Sequence, residues 1–211
     1  MRRRTFVLGL TCTLFSVACG RLPKRPAVQP GSTVLAFGDS VTFGTGAGPG
    51  EDWPSLLAAT TRWKVVNAGI PSDTADAAVL RIEALLDEHR PALVLVEMGG
   101  NDFLRRRAQS AVKEDLRRII RAAKATGAQV VLVAVPELSL FGVVAGKASD
   151  SPVYEQLGKE EKVHVIEDVF SDILSRPALC ADKIHPNASG YRQMAAGIHA
   201  NLKAVGLAPA R

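Results

Sequence analysis

Three short blocks, far apart along the chain, carry residue types that can do chemistry together. Gly38, Asp39 and Ser40 end an apolar run, so a serine hydroxyl stands where a strand gives way to a loop or helix. Gly99, Gly100, Asn101 and Asp102 end another. Paired glycines allow close backbone approach, and an asparagine amide can offer its N–H groups to a developing negative oxygen. Near the C-terminus, Asp182 precedes His185 by three residues. That spacing can set carboxylate and imidazole side by side on one turn, where the carboxylate fixes the tautomer and stabilises the charged ring. His185 is then free to take the proton of Ser40. A fourth block, Asn67 to Thr74, follows a further apolar run. Singly, each block has a plainer reading: an N-cap serine, a turn rich in turn-formers, a helix cap at Ser72 or Asp73, a surface loop with a capping aspartate. Together they place a nucleophile, hydrogen-bond donors and a base on separate loops, which are the parts of a serine acyl-transfer site.

Such loops need a scaffold, and the pattern of the chain supplies one. Short apolar runs at residues 33–37, 65–68, 93–97, 130–135 and 163–166 read as five strands. The first, third and fourth are continuous aliphatic runs, as suits parallel strands covered on both faces. Amphipathic stretches near 53–61, 74–90, 112–126, 153–160 and 188–205 read as helices between and after them. Pro91 stops the second, and Gly127 stands at a C′ position after the third. This alternation predicts an α/β fold with a parallel sheet between helical layers. Ligand sites of such sheets lie at the carboxyl ends of the strands, where three of the four blocks fall.

The first 18 residues read as a signal peptide, with Arg2, Arg3 and Arg4 before an apolar segment and small residues before Cys19. Arg3 and Arg4 also fit a twin-arginine signal, beside the plainer reading of an ordinary basic start. Small residues ending at a cysteine resemble a bacterial lipobox, which implies cleavage before Cys19 and acylation of its thiol. Residues 19–31, with Pro23, Pro26 and Pro30, then form a lipidated N-terminus and tether, and residues 32–211 the domain. The expected location is outside the cytoplasm, periplasmic or at the cell surface, with a lipid anchor in the membrane. The formal charge is +5, and removing Arg2–Arg4 leaves +2, so no nucleic-acid partner is expected. Of three cysteines, only Cys180 lies within the domain, so no internal disulfide framework is expected.

The blocks at Phe37–Ser40, Gly99–Asp102 and Asp182–Pro186, in that order and spacing, resemble the GDSL or SGNH hydrolase family, over about Thr33 to Leu202. Asp52-Trp53-Pro54-Ser55-Leu56-Leu57 resembles its branch of thioesterases, lysophospholipases and arylesterases. The resemblance implies a three-layer α/β/α sandwich, flavodoxin-like in strand order, and no metal or organic cofactor. It implies Ser40 as nucleophile, His185 as base and then acid, and Asp182 as third member of the triad. The oxyanion donors would be the Ser40 N–H, the Asn101 side chain and a third backbone N–H. The family usually has glycine at the third position. Here the aligned residue is Ser72, with Gly69 three residues earlier, and Ser72 is the favoured donor.

The implied activity is hydrolysis of acyl esters, lysophospholipids, thioesters or aryl esters through an acyl-enzyme. Phe103 and Leu104 after the asparagine block, with Leu140 and Phe141 in an apolar stretch after the fourth strand, are candidates for an acyl groove. Two alternatives stand beside this reading. One is a carbohydrate O-deacetylase of the same fold. The other is a non-catalytic flavodoxin-like binding lipoprotein, suggested by the glycine-rich stretch at residues 44–50. That stretch lacks the Gly-Lys-Ser/Thr ending of a phosphate loop.

Overall fold

The computed structural model describes residues 26–137 and 148–209. Cys19, Leu140 and Phe141 lie outside them. The expected strands appear as β1 (Thr33–Gly38), β2 (Lys64–Gly69), β3 (Leu93–Glu97), β4 (Gln129–Val133) and β5 (His164–Ile166). All neighbours are parallel, in the order β2-β1-β3-β4-β5. Burial follows from that order. The interior β3 is buried at every position, whereas the edge strand β2 is half-buried or exposed throughout. This is why Leu93–Glu97 is almost wholly aliphatic and Lys64–Gly69 tolerates Lys64 and Asn67.

The helices divide into two layers. One face carries α2 (Trp53–Thr61), α8 (Val169–Leu174) and α9 (Ala188–Ala204), with α9 packed on both others. The other carries α3 (Ala75–Val79), α4 (Ile82–His89), α6 (Gln109–Ala125) and α7 (Pro152–Glu161), with α6 packed on the remaining three. The three-layer sandwich expected from the resemblance is therefore the fold. Local sequence sets the ends. Asp52 caps α2 by accepting from the Ser55 N–H, and Asn187 caps α9 by accepting from Ser189 and Gly190. Arg90, in a left-handed conformation just before Pro91, closes α4. Among the described residues no helix is long and apolar enough to cross a membrane.

Three short helices were not expected: α1 (Ser40–Phe43), α5 (Gly100–Leu104) and α8. With 4, 5 and 6 residues they are too short to show a helical period. The single helix expected at 74–90 is instead two, α3 and α4, because the chain breaks at Leu80 and Arg81 and the Arg81 side chain turns inward.

The chain runs from β1 to β2 on one side and then crosses to β3 on the other. The carboxyl ends of β1 and β3 thus flank the point where strand order reverses, which is where open α/β sheets hold ligands. Gly38 at the end of β1 is level with both Gly69 and Glu97.

Candidate active site

Ser40 is the first residue of α1, directly after β1. The cap is not Ser40 but Asp39, whose carboxylate accepts from the Val41 N–H at 3.0 Å. That leaves the serine hydroxyl available to a partner elsewhere. The approach of α1 to β2 depends on a missing side chain: a Cβ on Gly69 would lie 2.2 Å from the Phe43 nitrogen.

His185 stands 145 residues later, on the loop between a short 3₁₀ turn (Pro177–Leu179) and α9. Its Nε2 lies 3.0 Å from Ser40 Oγ, and its Nδ1 lies 2.7 Å from Asp182 Oδ2. Asp182 also folds its own loop, since Oδ1 accepts from the N–H groups of Ile184 and His185 at 2.8 Å each. Burial pushes the Asp182 carboxyl up, but the bonds from the His185 ring and these two N–H groups outweigh it and hold the carboxyl below its ordinary value. It is therefore a carboxylate, as needed to fix the imidazole tautomer.

Two further contacts join this loop to the serine side. The Tyr191 hydroxyl, from the first turns of α9, donates to the Thr45 carbonyl at 2.8 Å. Gly46, at φ +97°, is packed so closely that a Cβ there would meet the Pro186 carbonyl at 2.5 Å and Ala181 Cβ at 2.8 Å. Gly46 is thus a close-packed shelf under the histidine loop.

Asn101 lies in the first turn of α5, after Gly99 at φ +128°. Its Nδ2 donates to the Asp73 carbonyl at 2.9 Å and to Asp39 Oδ2 at 3.2 Å. Ser72 is in the left-handed region at φ +67°, the conformation in which glycine is the usual residue. Among the described residues no group accepts from the backbone N–H of Ser40 or Ser72. The Gly69 N–H, by contrast, is already committed to Asn67 Oδ1 at 3.0 Å.

The carboxyls beneath the serine are buried. Burial pushes Asp39 up to about 7, against the Val41 N–H bond and the charge of His185 and with the charges of Asp73 and Asp102. Glu97, at the end of β3, is pushed well above its ordinary value by burial and then by the neighbouring Asp39. Its Oε2 accepts from Thr42 Oγ1 at 2.7 Å, while Oε1 is buried without a partner.

The space against Ser40 is a cavity of about 20 Å³, room for about one water. Its apolar walls are Leu104, Val135, Phe170 and Ile184. Of the expected groove residues, Leu104 is there, with nearly half its surface exposed. Phe103 is not: it is buried in the core, edge-on to the Tyr154 ring. Adjacent residues of a short helix point about 100° apart, and the α5 turn that aims Leu104 at the cleft aims Phe103 inward. Phe170, Val135 and Ile184 come from separate elements and carry no local signal. Asp102, which the sequence marked only as part of its block, is wholly buried. It accepts from the Ala75 N–H at 2.9 Å and pairs with Arg107, tying α5 to the start of α3.

The sequence and the fold have known counterparts. Residues 36–193 match the GDSL-like Lipase/Acylhydrolase family. The chain is 34% identical over 160 residues to Thioesterase 1/protease 1/lysophospholipase L1 of Escherichia coli strain K12, covering 74% of this chain and 76% of that protein. It is 30% identical over 188 residues to Esterase TesA of Pseudomonas aeruginosa, covering 86% and 92%. The crystal structure of TesA superposes with a TM-score of 0.73 at 28% identity, covering 82% of this chain and 99% of that one.

Proposed function

The chain belongs to the GDSL-like lipase/acylhydrolase family and is a serine ester hydrolase, and from that premise we propose that Ser40, His185 and Asp182 are its triad and that Ser40, Ser72 and Asn101 supply its oxyanion donors. The observation that carries the assignment is the continuous line from Ser40 Oγ through the imidazole to Asp182, at 3.0 and 2.7 Å.

In the reaction, Ser40 Oγ attacks the ester carbonyl carbon as His185 Nε2 takes its proton. The carbonyl oxygen becomes an oxyanion held by the two unaccepted N–H groups and by Asn101 Nδ2, which gives up its longer contact to Asp39. The carbon–oxygen or carbon–sulfur bond then breaks, and the leaving alcohol or thiol takes the proton from His185. Water repeats the sequence in the opposite sense and frees Ser40. The substrates are acyl, thio- and aryl esters and lysophospholipids, with the acyl group against Leu104, Val135, Phe170 and Ile184. The triad geometry and the close-packed shelf at Gly46 favour this reading over a binding module. We further assign export and tethering through Cys19 to the N-terminal segment, which places the enzyme in the periplasm or at the cell surface.

A fluorophosphonate probe and a series of p-nitrophenyl esters of increasing chain length test the assignment. The intact protein should be labelled and the Ser40→Ala variant should not. Asn101→Ala should lower kcat by about 10²- to 10³-fold with folding retained, as loss of one oxyanion donor does. Labelling of Ser40→Ala, or near-normal turnover by Asn101→Ala, would overturn it.

A further inference from the structure

Arg81 uses its side chain in a way its position does not advertise. It stands at the break between α3 and α4, and its guanidinium is mostly buried. Nη2 donates to the Gly38 carbonyl at 3.0 Å, at the end of β1. Nη1 donates to the Ala68 carbonyl at 2.9 Å, near the end of β2. Nε donates to Asp73 Oδ2 at 2.8 Å, and Nη2 lies 2.7 Å from the same oxygen. The plane also lies over the Phe37 ring, with Cζ 4.1 Å from its centroid. One rigid fork therefore joins three separate segments.

Each segment leads within a few residues to a group of the proposed machinery. Gly38 is two residues before Ser40. Asp73 follows Ser72, and the Asp73 carbonyl is the closer acceptor of Asn101 Nδ2. Ala68 is the penultimate residue of β2, the strand from which the Ser72 loop departs. We propose that Arg81 is a positioning residue for hydrolysis, holding the ends of β1 and β2 and the Asp73 loop in the one arrangement where Ser40, the Ser72 N–H and Asn101 converge on the oxyanion. The inference rests on the assignment of those three groups made above.

Lysine cannot replace it. An ammonium keeps the charge and can sit over Phe37, but it has no planar fork with which to reach two carbonyls and a carboxylate at once. Arg81→Lys should lower kcat about 10- to 100-fold, the scale of loss when a reacting group is misplaced by about 1 Å. KM should change little, because Arg81 lies outside the apolar walls. Phosphonylation of Ser40 by the fluorophosphonate should slow in parallel. Combined with Asn101→Ala, the loss should fall short of the product of the two single losses, since part of the Arg81 effect passes through Asn101.

Asp73→Asn tests the same link from the other side and keeps the Asp73 carbonyl. It should reproduce the direction of the kcat loss, and it decides the matter if Arg81→Lys does not fold. Unchanged kcat in a folded Arg81→Lys or in Asp73→Asn, or fully multiplicative losses with Asn101→Ala, would overturn the proposal. The two readings fail separately. A Ser40→Ala variant that is still labelled defeats the triad assignment, whereas an unlabelled Ser40→Ala beside an unaffected Arg81→Lys defeats only the role of Arg81.

Discussion

Glu97 is a carboxyl kept in the core at a cost. It is wholly buried, one oxygen accepts from Thr42, and the other has no partner. Together with Asp39 it gives the floor of the site two acids whose proton affinity is raised in the folded state. The consequence for stability has a definite sign. A raised folded-state value means the fold binds a proton that the unfolded chain has already lost, so the stabilisation is complete below the ordinary carboxylate range and declines as pH rises. For Asp39 that decline runs up to about 7, and for Glu97 it runs well above the ordinary carboxylate range. Glu97→Gln keeps an acceptor for Thr42 and removes one titration, so its melting temperature should fall less than that of the parent as pH rises above the ordinary carboxylate range. Glu97→Ala should instead lose about 1–3 kcal/mol, because the Thr42 hydroxyl is left buried and unpaired. Equal pH slopes for parent and Glu97→Gln in a thermal melt would sink this reading of the site floor.

The same division between a group and its setting recurs one level up, in the elements that carry the loops. Gly46 and Gly50 both have positive φ, at +97° and +79°. A side chain at Gly46 would strike the histidine loop, whereas at Gly50 it would meet nothing within 4 Å. Both alanine variants should lose about 1–2 kcal/mol of stability from the left-handed backbone. Only Gly46→Ala should also lower kcat, by about 10-fold or more, by moving His185 away from Ser40. Equal kcat for the two variants would mean the shelf does not position the loop. These elements were legible in the sequence to different depths. The five strands and long helices announce themselves because their apolar periods follow from which face they bury. Ser40 and Asn101 were legible for a related reason, as each follows a strand whose run of aliphatic residues ends abruptly. Arg81 was not, because inside the stretch 74–90 an arginine reads as a solvated helix residue. The inward direction of Phe103 was equally hidden, since it depends on the angle at which α5 leaves Gly99. Phe170, Val135 and Ile184 become walls only when α8, the chain just after β4 and the histidine loop are brought together.

At the scale of the whole molecule, the sheet separates the end where the chain enters from the end where the ester would bind. Pro26 and Val28 are stitched to the starts of two strands and to the segment after α9: the Val28 N–H donates to the Leu207 carbonyl, Trp63 Nε1 to the Val28 carbonyl, and Gln129 Nε2 to the Pro26 carbonyl. Trp63 precedes β2 and Gln129 begins β4, whereas Ser40, Ser72 and Asn101 follow the ends of β1, β2 and β3. Between the two edges lies the length of the strands, about 3.3 Å per residue. A tether through Cys19 would therefore leave the cleft on the side of the domain away from Pro26. A chain beginning at residue 26 should fold with a melting temperature close to that of the full-length protein and turn over a soluble p-nitrophenyl ester with the same kcat. Cys19→Ser in the full-length chain should shift the protein from the membrane to the soluble fraction without altering that kcat. Fractionation with parallel kinetics reads both effects. A large loss of kcat in either variant would show that the N-terminal segment contributes to the cleft, and a Cys19→Ser protein that stays with the membrane would remove the tether.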